Sequence, residues 1–155
     1  MSATEGQPAP ALDLPTDGGG RITLAALKSK PAVVYFYPKD DTTGCTREAQ
    51  DFTALAPDFA ALSVPVIGVS KDTVKKHDKF KAKYDLAVVL ASDEDGAACE
   101  AWGVWVQKKL YGREYMGIER ATFLIDADAR VVRAWRNVKV ADHAAAVLEA
   151  ARSLG

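Results

Sequence analysis

The sequence has few cysteines and histidines and no long apolar run. Its 155 residues include two cysteines and two histidines, and neither Cys45 and Cys99 nor His77 and His143 show the spacing of a zinc site. No stretch approaches the roughly 20 apolar residues of a membrane-spanning helix, and the start of the chain lacks the charged and apolar segments of a signal peptide. We therefore expect no metal, no other cofactor and no membrane partner.

Neither basic nor acidic residues are in excess. The chain has 20 basic and 21 acidic residues, and no basic stripe is interleaved with aromatic residues, so we expect no nucleic-acid partner. With no targeting segment, the sequence predicts a cytoplasmic protein. In that compartment two cysteines are usually reduced and available for chemistry, not joined in a structural bridge.

The length predicts a single domain over residues 1–155, with residues 1–8 as a flexible tail. Residues 12–14 and 21–24, on either side of a glycine-rich turn, predict an N-terminal β-hairpin. Apolar patterning predicts further strands at 33–37, 64–70, 86–90, 120–126 and 131–135, and helices from residue 45, over 72–83, around Cys99 and over 142–154.

This order of elements predicts a mixed sheet covered by helices on both faces. Residues 102–115 are expected to form a long connection that carries aromatic side chains. His77 falls in the lysine-rich helix over 72–83, which predicts a position on the surface. That placement excludes His77 as the base of a Cys–His hydrolase.

The most informative stretch covers residues 33–50. An apolar, β-branched run ends at Pro38, and a polar turn then leads to Cys45 at the start of a helix. Free backbone N–H groups and the dipole at a helix N-terminus stabilise a thiolate, which is the nucleophilic form of cysteine. A lone cysteine is more often a small buried apolar residue. Because residues 40–44 are polar, we expect a reactive Cys45 that is not buried.

The motif Pro38-x-x-x-Thr42-x-x-Cys45 resembles the active-site signature of the peroxiredoxins. Its surroundings are most similar to the bacterioferritin comigratory protein (PrxQ) group. Residues 117–126 resemble the strand that carries the catalytic arginine of that family, here Arg120. The similarity extends from residue 9 to the last helix. It implies an α/β, thioredoxin-like fold and a thiol-dependent peroxidase.

Thr42 stands where disulfide oxidoreductases have the first cysteine of Cys-x-x-Cys, so no local disulfide can form. Its hydroxyl can instead hydrogen-bond a bound oxygen substrate. This arrangement fits attack of Cys45 on hydrogen peroxide or an organic hydroperoxide, giving a sulfenic acid that a thiol then reduces.

By the same resemblance, Arg120 stabilises the Cys45 thiolate and polarises the peroxide, and Pro38 shields the thiolate from water. Backbone N–H groups at Gly44 and Cys45 bind the oxygens. Glu48, one helical turn beyond Cys45, orients Arg120 through a charge-assisted hydrogen bond. The alternatives are an exposed sheet charge for Arg120 and a carboxylate favoured only by the helix dipole for Glu48.

The chain departs from many relatives at the resolving cysteine. Gln50 stands where they have a cysteine five residues after Cys45, and the helix over 72–83 has none. We interpret Cys99 as a half-buried structural residue. The expected cycle uses Cys45 alone, with thioredoxin, glutaredoxin or a small thiol as reductant; a Cys45–Cys99 disulfide is the alternative.

A hypothesis of another class is a redox-inactive binding or chaperone module with a thioredoxin fold. Such a module has no need for the combination of Pro38, Thr42, Cys45 and Arg120, which favours the enzyme. No symmetric apolar patch is evident in the sequence, and relatives in this group are often monomers. We therefore expect a monomer.

Overall fold

The computed structural model describes residues 3–154. The strands, in chain order, are β1 (Asp13–Pro15), β2 (Arg21–Thr23), β3 (Ala32–Phe36), β4 (Val66–Ser70), β5 (Val89–Ser92), β6 (Trp105–Leu110), β7 (Arg113–Ile118), β8 (Ala121–Ile125) and β9 (Val131–Trp135). The helices are α1 (Leu24–Leu27), α2 (Thr43–Ala54), α3 (Ala56–Ala61), α4 (Val74–Tyr84), α5 (Ala97–Ala101) and α6 (His143–Arg152), with a 3-10 turn at Asp17–Gly19.

A five-stranded sheet forms the centre of the fold, with strand order β5-β4-β3-β8-β9. Strands β3, β4 and β5 run parallel, whereas β8 and β9 are antiparallel to their neighbours. Every residue of β3, β4 and β8 is buried, as continuous apolar runs require when both faces of a sheet are covered. The predicted α/β fold with a mixed central sheet is confirmed.

The two faces of the sheet pack under different elements. Alternate residues of β3 point to opposite sides, so Val34 joins one apolar cluster and Tyr35 the other. The first cluster includes residues of the N-terminal hairpin and of α5, and the second includes residues of α2, α4 and α6. These two groups of elements therefore lie on opposite faces of the sheet.

The N-terminal hairpin is present as predicted, with β1 and β2 antiparallel. The expected flexible tail over residues 1–8 is not what the described part of that segment shows. The N–H of Ala3 donates to the carbonyl of Trp102 at 3.2 Å, and the N–H of Gly6 donates to Val131 at 2.8 Å. Ala3 is also buried. These contacts tie residues 3–8 to the domain, while residues 1 and 2 lie outside the described chain.

The prediction that residues 102–115 form a long connection is wrong, because most of them lie in a β-hairpin. Strands β6 and β7 pair antiparallel along their whole length and form a separate two-stranded sheet. Their two-residue turn has positive φ at both positions, 51° at Tyr111 and 77° at Gly112, which matches the right-handed twist of a hairpin. The tip of this hairpin holds exposed apolar side chains, among them Leu110 and Tyr111.

Helix α1 was not predicted, because residue 24 was assigned to the second strand of the hairpin, and the remaining elements differ from the prediction at their ends. The strand expected at 86–90 is Val89–Ser92, and the helix expected over 72–83 is Val74–Tyr84. Among residues 3–154, no helix combines the length and the apolar character needed to cross a bilayer.

Candidate active site

The start of α2 places Cys45 beside unpaired backbone donors. Thr42 is the N-cap, in extended conformation, but its hydroxyl donates to the carbonyl of Lys39 at 2.8 Å and does not cap the helix. In the first backbone hydrogen bond of the helix, the N–H of Thr46 donates to the carbonyl oxygen of Thr42 at 2.8 Å. In the described part of the chain, the N–H groups of Gly44 and Cys45 have no hydrogen-bond partner. These groups are free to bind an oxygen atom next to the sulfur.

The Cys45 thiol lies against the guanidinium of Arg120, with 3.4 Å between Sγ and Nη2. The expectation of an unburied thiol is wrong, because Cys45 is 2% exposed. Helix α2 turns the side of Cys45, Ala49 and Phe52 toward the apolar cluster that also contains Tyr35. The polar turn before Cys45 is at the surface, but Cys45 itself, the third residue of α2, already faces inward.

Arg120 and Glu48 form an ion pair at the same place. Nη1 of Arg120 lies 2.7 Å from Oε1 of Glu48, and the two side chains are 17% and 1% exposed. Burial raises the pKa of Glu48 to about 7, although the charge of Arg120 acts in the opposite direction. Oε2 of Glu48 has no hydrogen-bond partner. The structure thus brings Cys45, Arg120 and Glu48 together.

Gly44 leaves room for this guanidinium. A Cβ atom at residue 44 would lie 3.1 Å from Nη2 of Arg120, closer than side chains normally pack. The close approach of Arg120 to the helix start therefore depends on the missing side chain.

A cavity of about 440 Å³ opens beside the site. It is bordered by Pro38, Arg120 and Val138, and by Val106 and Lys108 from β6. Burial and the nearby charge of Arg120 lower the pKa of Lys108. The β6–β7 hairpin, which the sequence did not predict, therefore supplies one wall of this cavity.

His77 lies at the centre of a buried network, so its predicted surface position is wrong. Its ring is 0% exposed, and Nδ1 lies 2.6 Å from Oδ2 of Asp40. The reason is its place on α4, three residues from Val74 and three from Phe80, which puts all three on one helix face. That spacing is the sequence signal from which the burial of His77 could have been inferred.

Cys99 lies in the opposite apolar cluster from Cys45. It was expected to be half-buried, but it is 0% exposed. Burial, with the carboxylate of Asp93 beside it, raises the pKa of the Cys99 thiol far above its usual range. The sheet separates the two cysteines, and both are free thiols.

His143 also lies close to the site. Its Nε2 is 2.8 Å from Oγ1 of Thr122 on β8. Burial, with a smaller effect of the Arg120 charge, lowers the pKa of His143 to about 4, so the ring is neutral at pH 7. Among residues 3–154, no group of three or more His, Cys, Asp or Glu side chains is arranged to hold a metal ion.

A thiol at a helix start beside a half-buried arginine, on a mixed sheet covered by helices, is typical of a thioredoxin-like thiol enzyme. The AhpC/TSA family model matches residues 5–134. The peroxiredoxin Bcp of Bacillus subtilis is 47% identical over 154 residues, covering 99% of this chain and 98% of the relative. The peroxiredoxin Bcp of Xanthomonas campestris is 49% identical over 148 residues, covering 94% and 92%.

Solved structures agree with this assignment. The Xanthomonas campestris bacterioferritin comigratory protein, studied for its alkyl peroxide reduction activity, superposes with a TM-score of 0.91 at 46% identity and covers 99% of each chain. The Xylella fastidiosa PrxQ gives a TM-score of 0.93 at 38% identity, covering 99% of this chain and 98% of the other. The chain therefore belongs to the AhpC/TSA family, among the Bcp/PrxQ peroxiredoxins. It is a thiol-dependent peroxidase, which takes a peroxide substrate and a thiol reductant.

Proposed function

We propose that this peroxiredoxin reduces hydrogen peroxide and organic hydroperoxides through a sulfenic acid on Cys45. The Cys45 thiolate attacks one peroxide oxygen, the O–O bond breaks with its electron pair on the departing oxygen, and that oxygen takes a proton to leave as water or alcohol. The observation that carries this proposal is the 3.4 Å contact between Sγ of Cys45 and Nη2 of Arg120, since a cation there favours the thiolate.

Thr42 is proposed to hold the peroxide. Its hydroxyl hydrogen is donated to the Lys39 carbonyl, so the lone pairs of Oγ1 remain to accept the O–H of a hydroperoxide. The N–H groups of Gly44 and Cys45 would donate to the peroxide oxygens. The oxygen that is attacked is thereby held near the sulfur, in the orientation that displacement requires.

Arg120 is proposed to stabilise the negative charge that develops on the departing oxygen. Glu48 fixes one end of the guanidinium through its 2.7 Å contact, which leaves the other end directed at Cys45. Pro38, at the edge of the cavity, is proposed to shield the thiolate from water.

The proposed cycle uses Cys45 alone, and Gln50 cannot resolve the sulfenic acid. Cys99 is buried on the opposite face of the sheet, so a Cys45–Cys99 disulfide would require local unfolding. The reductant is therefore proposed to be an external thiol: thioredoxin, glutaredoxin or a small thiol. We further propose that residues 1–155 act as one domain, as a monomer, in the cytoplasm, where the two free thiols would stay reduced.

The proposal is tested by treating the reduced protein with about one equivalent of peroxide and a sulfenic-acid trap, followed by intact mass and peptide mapping. A trapped adduct on Cys45, with Cys99 unmodified, is expected. A Cys45–Cys99 disulfide would replace the single-cysteine cycle with the two-cysteine one. Peroxide turnover in the Cys45→Ser variant equal to wild type would overturn the proposed nucleophile.

A further inference from the structure

We propose that His77 and Asp40 position the active-site loop, residues 38–42, through a buried ion pair between the loop and helix α4. The inference rests on the proposed function, because this loop carries Pro38 and Thr42. His77 is then a positioning residue, since it contacts Asp40 and not the peroxide.

The carboxylate of Asp40 is enclosed by donors. Nδ1 of His77 lies 2.6 Å from Oδ2, and the hydroxyl of Tyr37 donates to Oδ1 at 2.5 Å. The Asp40 side chain is 5% exposed and that of His77 is 0% exposed. A carboxylate that loses water is costly to bury unless such donors replace it. Both oxygens of Asp40 have one.

The hydrogen-bond partners of the two His77 ring nitrogens favour its protonated, charged form. Nε2 lies 2.9 Å from the carbonyl oxygen of Ala91, and a carbonyl can only accept, so Nε2 carries a proton. Nδ1 faces the carboxylate of Asp40, so a proton there completes an imidazolium paired with that carboxylate. The structure therefore favours a charged His77, held by β5 on one side and by the loop on the other.

The same network fixes the backbone of the loop. The N–H of Asp40 donates to Oδ2 of Asp72 at 2.8 Å, and the hydroxyl of Ser70 donates to that same oxygen at 2.6 Å. Asp40 is two residues after Pro38 and two before Thr42. Its side chain and its backbone N–H are thus both anchored at the middle of the segment that presents those two residues.

The next residue of the loop is strained and is also held by α4. Asp41 has a φ of 61°. Residues other than glycine adopt this left-handed backbone conformation at some energetic cost. Its carboxylate accepts from Nζ of Lys83 at 2.8 Å and from the hydroxyl of Tyr84 at 2.5 Å. Contacts to α4 at two successive residues therefore maintain a loop conformation that the sequence alone would not favour.

The groups that face His77 all act on its charge in one direction. Burial lowers the pKa of His77, but the hydrogen bond and charge of Asp40, the Ala91 carbonyl and the charge of Asp72 together raise it above its usual value. Tyr37 lies 3.5 Å from Nδ1. Because the pKa of His77 is raised in the folded state, the stability that this shift contributes is fully present below the unfolded value of 6.5 and is lost as the pH rises through the folded value.

The test compares two reactions of Cys45 in wild type, His77→Gln and Asp40→Asn. Reaction with hydrogen peroxide depends on the placement of Thr42, whereas alkylation by iodoacetamide depends on the thiolate but not on that hydroxyl. We expect each variant to lower the rate constant for peroxide by about 10- to 100-fold, with a change of less than about threefold for iodoacetamide. Asp93→Asn is the matched control: Asp93 is a buried carboxylate that accepts from Ala98 and Cys99 on α5.

The Asp93→Asn control is expected to have a lower melting temperature than wild type, but no selective decrease in the rate constant for peroxide. The inference is overturned if either folded variant reacts with peroxide as wild type does, or if both rate constants fall together. NMR of the His77 ring in wild type gives a readout independent of activity: at pH 6.5, the ordinary pKa of histidine, both ring nitrogens should be protonated in most molecules, and a neutral ring would contradict the ion pair. The proposed function is judged from the wild-type rate constant, whereas this inference is judged from the variant-to-wild-type ratio.

Discussion

The guanidinium of Arg120 links the thiol of Cys45 to the buried carboxylate of Glu48. Its two ends contact Cys45 and Glu48, at 3.4 Å and 2.7 Å. A planar group with five donors can make both contacts at once, but an ammonium is a single point of charge. The geometry of the site therefore depends on the shape of this side chain as well as on its charge.

Arg120→Lys should lower the rate constant for Cys45 oxidation by about 100-fold, the effect of removing one donor from a charge-stabilising site. Stopped-flow reaction with hydrogen peroxide measures this. Arg152→Lys is the control, because Arg152 pairs with Glu149 at 2.6 Å on the exposed surface, and its rate constant should match wild type. If the Arg120→Lys variant were as fast as wild type, the two-ended contact would not be needed.

Gly44→Ala tests the space beside Arg120. The new Cβ would lie 3.1 Å from Nη2, so the guanidinium has to move away from the sulfur. We expect the peroxide rate constant to fall by about 10-fold. Alanine is a better helix former than glycine, so the free energy of unfolding should stay equal or rise. A fall in rate accompanied by a fall in stability would point to misfolding of α2 instead.

The sequence predicted which side chains lie together near Cys45, but it did not predict their surroundings. Cys45, Arg120 and Glu48 were expected to come together, and they do. The burial of His77 was missed because the many lysines of α4 obscured its apolar face. The burial of Cys45 was missed because the polar turn before it says nothing about which side of α2 faces the sheet.

Among the helices, α5 places Cys99 away from Cys45. This helix packs on the face of the sheet opposite to α2. Burial, together with the neighbouring carboxylate of Asp93, raises the pKa of the Cys99 thiol. A thiol that is both neutral and enclosed is a poor nucleophile toward a sulfenic acid.

Cys99→Ala and Cys99→Ser should both retain peroxide turnover with an external thiol. The alanine variant leaves a small cavity and should lose about 1 kcal/mol of unfolding free energy. The serine variant keeps a donor near Asp93 and should lose less. Urea denaturation and a coupled peroxidase assay measure these effects. Loss of turnover in both variants, with the fold intact, would assign Cys99 a place in the cycle.

Strands with long apolar runs were predicted from sequence. The β6–β7 hairpin, which is held mainly by its own backbone pairing, was not. Strands β3 and β4 are buried on both faces, so their sequences are nearly continuous apolar runs. The β6–β7 hairpin forms its own sheet, and most of β7 is exposed. Its alternation is therefore weak. The Tyr111–Gly112 turn is the local signal from which this hairpin could have been inferred.

In the folded protein as a whole, two buried groups should make the free energy of unfolding respond to pH in opposite directions. The pKa of Glu48 is raised from 4.5 to about 7 in the folded protein, so its contribution to stability falls as the pH rises through that window. The pKa of His143 is lowered from 6.5 to about 4, so its contribution falls as the pH drops through 6.5. The two effects oppose each other between pH 4.5 and 6.5.

Glu48→Gln and His143→Gln should therefore reveal opposite slopes. Relative to wild type, Glu48→Gln should lose stability more steeply as the pH falls from 6.5 to 4.5, because only the cost of protonating His143 remains. His143→Gln should gain stability over the same range, because only Glu48 still titrates. The full pKa shift of either group corresponds to about 3 kcal/mol of unfolding free energy. Urea denaturation at several pH values measures the slopes. Parallel profiles in the three proteins would mean that these two groups do not carry the pH dependence of the fold.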